Sequence, residues 1–259
     1  MTMIQVKTEA TKVATTKLWW LLALTLIVLA GAGSSLLTLA VSASGSAQLP
    51  LDTPGGAGVV YNLAVGLAYV VPFVLGVLVL TSDLHQGTLS VSAVGEPRRL
   101  RIFVAKIAVA VGVCALYGVV SVGAGVLGGA FSLTASGYET HLLDPEVTSR
   151  LAGGVACFAL WGAIGLGIGA LVKNQLIAII GVVVFTQFLE PVIRIVAAGS
   201  ELTRFLPGAV SDAAAGGTLI SMATGEQPLL QIQALGTLAF YAAALACLGA
   251  LRFRRYELA

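Results

Sequence analysis

Polar side chains that could recognise another molecule are concentrated in one short segment, between residues 83 and 106. Two strongly apolar stretches flank it, in a chain of 259 residues of which only 10% are charged. Gly95 and Pro97 restrict the segment to a brief helix or turn. Its guanidinium and carboxylate groups suit pairing with the charges of a partner protein or with lipid phosphates. The candidate contact residues are Asp83, Gln86, Gly87, Thr88, Glu96, Pro97, Arg98, Arg99 and Lys106.

A second set of polar residues lies inside the apolar stretches. Asn62 and Tyr69 are separated by nearly two helical turns, so they share one face of a helix. Polar groups within a membrane-spanning segment are costly and mark functional sites. Glu190 and Arg194 are spaced i, i+4, so Glu190 could instead form an ion pair with Arg194 and have a structural role. The residues predicted to border a substrate pathway are Asn62, Tyr69, Thr186, Gln187 and Glu190.

The chain offers few groups for catalysis or metal binding. The two histidines, His85 and His141, are predicted on opposite sides of a membrane, which separates them. The three cysteines fall in apolar stretches without C-x-x-C spacing and read as small buried hydrophobes. A G-x-G-x-x-G pattern at 123–128 lies inside an apolar stretch and not between a strand and a helix, so it predicts no dinucleotide site. No G-x-x-x-x-G-K-[ST] loop occurs, and we expect no catalytic residue, no metal and no directly bound cofactor.

The elements that must position these residues are membrane helices. Hydrophobic residues make up 58% of the chain, and the mean hydropathy is +0.97. A helix needs about 20 apolar residues to cross ~30 Å of hydrocarbon. We therefore predict an all-α membrane protein with six transmembrane helices, formed by the stretches Leu18–Val41, Val59–Leu80, Phe103–Phe131, Leu151–Val172, Gln175–Ala198 and Ala234–Leu251.

The distribution of basic residues predicts the orientation of these helices. If the N-terminus is cytoplasmic, all but three of the 14 Lys and Arg residues fall on the cytoplasmic side. The exceptions are Arg150, Arg194 and Arg204. This is the positive-inside pattern, so both termini are expected in the cytoplasm. A bacterial inner membrane is the expected location.

Residues 1–17 form a separate cytoplasmic segment before the first stretch. Their lysines, interspersed with apolar residues, fit a short amphipathic helix on the inner leaflet, and a disordered tail is the alternative. The first stretch could also be a secretory signal. Its uncharged length exceeds the ~7–15 residues of a signal's apolar region, which favours an uncleaved span.

The outer connections are predicted to be small, and the longest of them is unusual. Within residues 199–232, the part from Ala209 to Ala223 is too short to span and too apolar to be fully solvated. We expect a re-entrant or interfacial helix there, before the last span. Residues 18–259 are thus predicted to be one domain, without an outer domain that could capture a large ligand.

Glycine spacing predicts how the helices meet. The patterns Gly125-x-x-x-Gly129 and Gly165-x-x-x-Gly169 would let helix backbones approach closely. Packing inside the bundle is the favoured interpretation, and a dimer interface is the alternative.

Together these features resemble the ABC-2 type transporter permeases. The likeness covers nearly the whole chain in architecture, but its specific part is confined to the segment 81–106. That segment reads Asp83-Leu84-His85-Gln86-Gly87-Thr88-Leu89, then Gly95-Glu96-Pro97-Arg98-Arg99, then Lys106. In that family such a loop docks on the ATPase, and the roles carried over fall on Asp83, Gly87, Thr88, Arg99 and Lys106. Asp83 stands where the family often has Glu, and Glu96 where it often has an uncharged residue.

The resemblance implies a permease subunit of an ATP-driven exporter and not an enzyme. Two cytoplasmic ABC ATPase subunits would bind ATP and Mg, and a second permease, identical or paralogous, would complete the complex. Apolar walls favour an amphiphilic or hydrophobic substrate such as a drug, an antibiotic, a lipid or a peptide. Membrane lipids are further expected partners, and nucleic acid is not. The competing hypothesis is an ATP-independent secondary carrier or channel; a carrier of that kind would be expected to contain an inverted repeat.

Overall fold

The computed structural model describes residues 18–44, 49–85, 99–172, 174–197, 200–217 and 228–254. Helices account for most of these residues, which contain no β strand, so the predicted all-α class is confirmed. In chain order the helices are α1 (Leu18–Ser44), α2 (Pro54–Tyr61), α3 (Leu63–Ala68), α4 (Val70–His85), α5 (Arg99–Ala135), α6 (Pro145–Val172), α7 (Gln175–Val184), α8 (Glu190–Val196), α9 (Pro207–Ala214) and α10 (Gln231–Arg254). A π-helical turn, Phe185–Leu189, joins α7 to α8, and a 3-10 turn, Thr203–Phe205, precedes α9.

Five of the six predicted stretches coincide with helices that are long and apolar enough to cross a membrane. These are Trp19–Ser44, Leu100–Ala135, Pro145–Val172, Gln175–Val196 and Gln231–Arg254. Such lengths and compositions are those of a multi-pass membrane protein.

The remaining predicted stretch, Val59–Leu80, is helical but interrupted, which corrects the expectation of one continuous helix. It is divided among α2, α3 and α4, with breaks at Asn62 and Tyr69. Pro72 has no amide hydrogen, so the carbonyl of Ala68 loses its i+4 donor and the helix breaks at the preceding turn. At the other break, the Asn62 backbone has φ −96° and ψ 12°, outside the helical region.

Contacts at glycine residues show the relative directions of the helices that pack against each other. A Cβ atom at Gly165 of α6 would lie 2.1 Å from the carbonyl oxygen of Phe73 of α4, and one at Gly169 would lie 3.3 Å from that of Val77. Residue numbers rise together along the two helices, so α4 and α6 are parallel. Equivalent contacts make α5 antiparallel to α6, α7 antiparallel to α4, α1 parallel to α5 and α10 parallel to α6. Within the described ranges, the backbone therefore runs along the bundle six times in alternating directions.

The α6 helix occupies the centre of the bundle, with α4, α5 and α10 packed around it, and α1 packs mainly on α5. The predicted role of the glycine patterns inside the bundle is confirmed. Gly125 and Gly129 of α5 lie against Tyr61 of α2, and Gly165 and Gly169 of α6 lie against α4. The α7–α8 segment is largely exposed on its outer side, so it lies at the periphery of the bundle.

Candidate functional site

The segment predicted to contact a partner is described only at its two edges. Gln86, Gly87, Thr88, Glu96, Pro97 and Arg98 lie outside the described residues. Asp83 belongs to the last turns of α4 and Arg99 begins α5, but their side chains also lie outside the described part. The described edges, which are the end of α4 and the start of α5, lie at the same end of the bundle, and the two helices pack on each other.

Lys106, the last residue of the predicted contact set, lies inside the bundle. Its side chain is completely buried, and Nζ donates to the Val79 carbonyl of α4 at 3.3 Å. A buried ammonium that bonds a neighbouring helix connects the two helices that flank the segment 86–98. Lys106 therefore makes a contact between two helices of this chain, and its side chain is not on the surface of the bundle.

The five residues predicted to border a pathway are polar groups set among apolar helices near the opposite end of the bundle. Asn62, Thr186 and Glu190 are buried, as is the Tyr69 ring. The Tyr69 hydroxyl lies 3.5 Å from the Thr186 carbonyl oxygen, a long hydrogen bond that joins the two interrupted segments. The structure thus brings Tyr69 and Thr186 together.

The Thr186 carbonyl is open to Tyr69 because of the local backbone. In the π turn, the Glu190 amide donates to the Phe185 carbonyl, five residues earlier. The next residue, Pro191, has no amide hydrogen, so neither of the usual intrahelical donors remains for Thr186. Single π turns inside α-helices often occur at functional sites.

Glu190 accepts hydrogen bonds from another helix, α9. Its Oε1 accepts a hydrogen bond from the Ala209 amide at 2.8 Å, and its Oε2 accepts one from the Gly208 amide at 2.9 Å. These are free donors of the first turn of α9. Arg194 forms an ion pair with Asp212 of α9, with 2.8 Å between Nη1 and Oδ2.

Asn62 bonds to the chain that leaves α9. Its Nδ2 donates to the carbonyls of Ala215 and Arg150, each at 2.8 Å. The Oδ1 of Asn62 and the Nε2 of Gln187 are buried without a hydrogen-bond partner. Asn62 therefore lies at the far end of α9 from Glu190.

The five predicted residues form a polar layer together with Arg194, Trp161, Ser211 and Asp212. Sequence reasoning missed the last three of these. Trp161 of α6 stacks on the Tyr69 ring, with 4.7 Å between centroids, and its Nε1 donates to the Ser211 hydroxyl at 2.7 Å. Asp212 and Ser211 lie in a segment that the sequence marked only as small and apolar. One signal was available: Asp212 is the single charged residue between Pro207 and Gly225.

Most polar groups of this layer bond to one another within the chain, and among its buried atoms in the described ranges only the Oδ1 of Asn62 and the Nε2 of Gln187 lack a partner there. Among the described residues, no cluster of three or more His, Cys, Asp or Glu side chains could hold a metal ion. No family model matches the chain, and neither does any curated protein.

Proposed function

We propose that this chain is the transmembrane permease subunit of an ATP-driven exporter. A separate cytoplasmic ATPase, present in two copies, hydrolyses ATP with Mg. The permease works with a second copy of itself or with a paralogue. It moves an amphiphilic or hydrophobic molecule, such as a drug, an antibiotic, a lipid or a peptide, out of the cytoplasm or the inner leaflet.

The observation that carries the proposal is the packing of the two helices on either side of the segment 86–98. The segment joins α4 to α5, two helices that pack on each other and continue into the bundle. The Lys106 side chain bonds the Val79 carbonyl between them. Since α5 has 37 residues, it is about 55 Å long and exceeds the ~30 Å of hydrocarbon. A push on the segment would reach the bundle as movement of a rigid helix pair.

The proposed orientation places this end in the cytoplasm. Six passes then cross the membrane, including the interrupted one, and both termini are cytoplasmic. Arg101, Arg252 and Arg254 are exposed at the same end, where the rings of Phe103 and Phe253 bring α5 and α10 within 5.4 Å between centroids. An excess of basic residues favours the cytoplasmic face of a bacterial inner membrane.

The test is purification of the tagged chain in mild detergent from its native membrane, with identification of stoichiometric partners by mass spectrometry. We expect a soluble subunit that carries a G-x-x-x-x-G-K-[ST] loop. The variant Asp83→Asn/Arg99→Gln should lose this subunit while remaining monodisperse. The matched control is Glu201→Gln/Arg204→Gln, which removes a salt bridge at the other end of the bundle and should keep it. Recovery of the chain without an ATPase, or equal binding by both variants, would refute the proposal.

A second candidate, an ATP-independent carrier, has one observation in its favour. If the six passes are divided into two sets of three, the middle pass of each set is interrupted next to a proline, Pro72 or Pro191. The two interruptions meet where Tyr69 contacts Thr186. Discontinuous helices in corresponding positions are typical of binding sites in secondary transporters. Uptake of a fluorescent cationic amphiphile into proteoliposomes, driven by a proton or sodium gradient without ATPase, would favour this candidate.

A further inference from the structure

The α9 helix is an internal element that packs into the core with small side chains. It has only eight residues, and Gly208 to Ala214 are all buried. Its side chains are mostly small, with Val210 the largest apolar one. A helix this short is not stable by itself, so its position depends on contacts from the helices around it.

The N-terminal end of α9 is capped from another helix. Leu206 occupies its N-cap position and has no side chain that can accept a hydrogen bond. The Glu190 carboxylate of α8 supplies both missing acceptors, to the amides of Gly208 and Ala209. A carboxylate also interacts favourably with the positive end of the helix dipole.

An ion pair fixes the next turn of α9 to the same helix. Arg194 Nη1 and Asp212 Oδ2 are 2.8 Å apart, and each side chain is only 3% exposed. Glu190 and Arg194 are one turn apart on α8, so the two contacts lie side by side. Removal of one partner of a buried pair leaves an uncompensated charge, so either substitution alone should be strongly destabilising.

The C-terminal end of α9 is held by three further side chains. The carbonyls of Ala214, Ala215 and Gly216 accept hydrogen bonds from side-chain nitrogens at 3.0, 2.8 and 2.6 Å. The donors belong to α10, to the break between α2 and α3, and to α6: Gln231, Asn62 and Arg150. Gly216 itself has φ +87°, a conformation that lets the chain turn away at this point. Both ends of α9 thus depend on other helices.

We infer that Glu190 and the Arg194–Asp212 pair form a latch, and that α9 is a releasable plug which this latch holds across the polar layer. In the latched state α9 covers the side of Trp161 and Asn62 that its residues Ser211 and Ala215 contact. Release of the latch frees the N-terminal turns of α9 to withdraw from Trp161, while the C-terminal bonds to Asn62, Arg150 and Gln231 remain, and this movement exposes the polar layer to a passing molecule. The identification of that opening as an exit for substrate rests on the proposed function; the latch itself does not.

The test is hydrogen exchange, followed by mass spectrometry, of the full chain in lipid nanodiscs without any ATPase. Glu190→Gln keeps one acceptor for α9, and Glu190→Leu keeps none. We expect the α9 amides of Glu190→Leu to exchange about tenfold faster or more than those of the parent. The rate for Glu190→Gln should lie between those of Glu190→Leu and the parent, while peptides from α5 and α6 remain unchanged.

Two further variants separate release of α9 from general loss of structure. Arg194→Leu/Asp212→Leu removes both charges of the ion pair together, and it should also accelerate exchange of α9 alone. Glu201→Gln/Arg204→Gln removes an exposed pair of the same chemistry and should leave α9 unchanged. Equal exchange of α9 in all variants, or equally faster exchange throughout the chain, would overturn the latch. Because no ATPase is present in this experiment, its result tests the latch independently of whether the purified chain binds an ATPase.

Discussion

Substitution of Gly165 by alanine tests the packing that positions the polar layer. A Cβ atom at this position of α6 would lie 2.1 Å from the Phe73 carbonyl oxygen, whereas an ordinary van der Waals contact is 3.4–4 Å. The backbones of α4 and α6 must therefore separate by roughly 1 Å. Overpacking of this kind costs about 1–3 kcal/mol. The free energy of unfolding should fall by that amount.

The matched control is alanine at Gly112 of α5, where a Cβ atom would meet no other atom within 4 Å. There the only change is a gain in helix propensity of up to about 1 kcal/mol. The two substitutions are chemically identical and should have opposite signs. The comparison thus isolates the close approach of α4 and α6 from the general effect of adding a methyl group.

Thermal unfolding in one detergent, followed by tryptophan fluorescence, measures both effects. A change of 1 kcal/mol shifts the midpoint of a domain of 150–250 residues by about 2–4 °C. We expect Gly165→Ala to lower the midpoint by several degrees and to change the emission of Trp161, whose ring lies edge-on to Phe73 at 6.0 Å. Gly112→Ala should leave the midpoint unchanged or raise it. If Gly165→Ala is as stable as Gly112→Ala, the close packing of α4 on α6 is wrong.

Three other predictions concern the layer, the buried lysine and the topology. Trp161 Nε1 donates to the Ser211 hydroxyl at 2.7 Å, so a double-mutant cycle of Trp161→Phe and Ser211→Ala should give a coupling energy of about 0.6–1.7 kcal/mol. The cycle is measured by unfolding midpoints, and additive effects of the two substitutions would show that this hydrogen bond is absent. Lys106→Ala should lower stability by about 2–5 kcal/mol, because it opens a cavity and leaves the Val79 carbonyl without this donor; Arg101→Ala, at an exposed position, should change it little. Reporter fusions after residues 92 and 257 should be active only with a cytoplasmic reporter such as GFP, and those at residue 140 only with a periplasmic reporter such as alkaline phosphatase; the reverse pattern would invert the orientation.

The sequence predicted the helices well because membrane helices are specified by apolar length. Five predicted stretches match helices of the structure to within a few residues at most ends. The interrupted pass was harder to foresee, because one Asn and one Pro leave the average hydropathy of the stretch high enough for a span. At Pro191 the backbone is irregular as well, since a π turn directly precedes Glu190. Hydropathy therefore locates a span, while proline and asparagine decide whether it is continuous.

The candidate site was predicted only in part, because local spacing cannot identify a partner on another element. The spacing of Glu190 and Arg194 suggested a pair along one helix, but each side chain bonds to α9. Pro207 marks a helix start and Leu206 offers it no cap, so two buried amides require acceptors from elsewhere. A buried carboxylate, in turn, requires donors. The sequence contains both requirements, and only the fold shows that they satisfy each other.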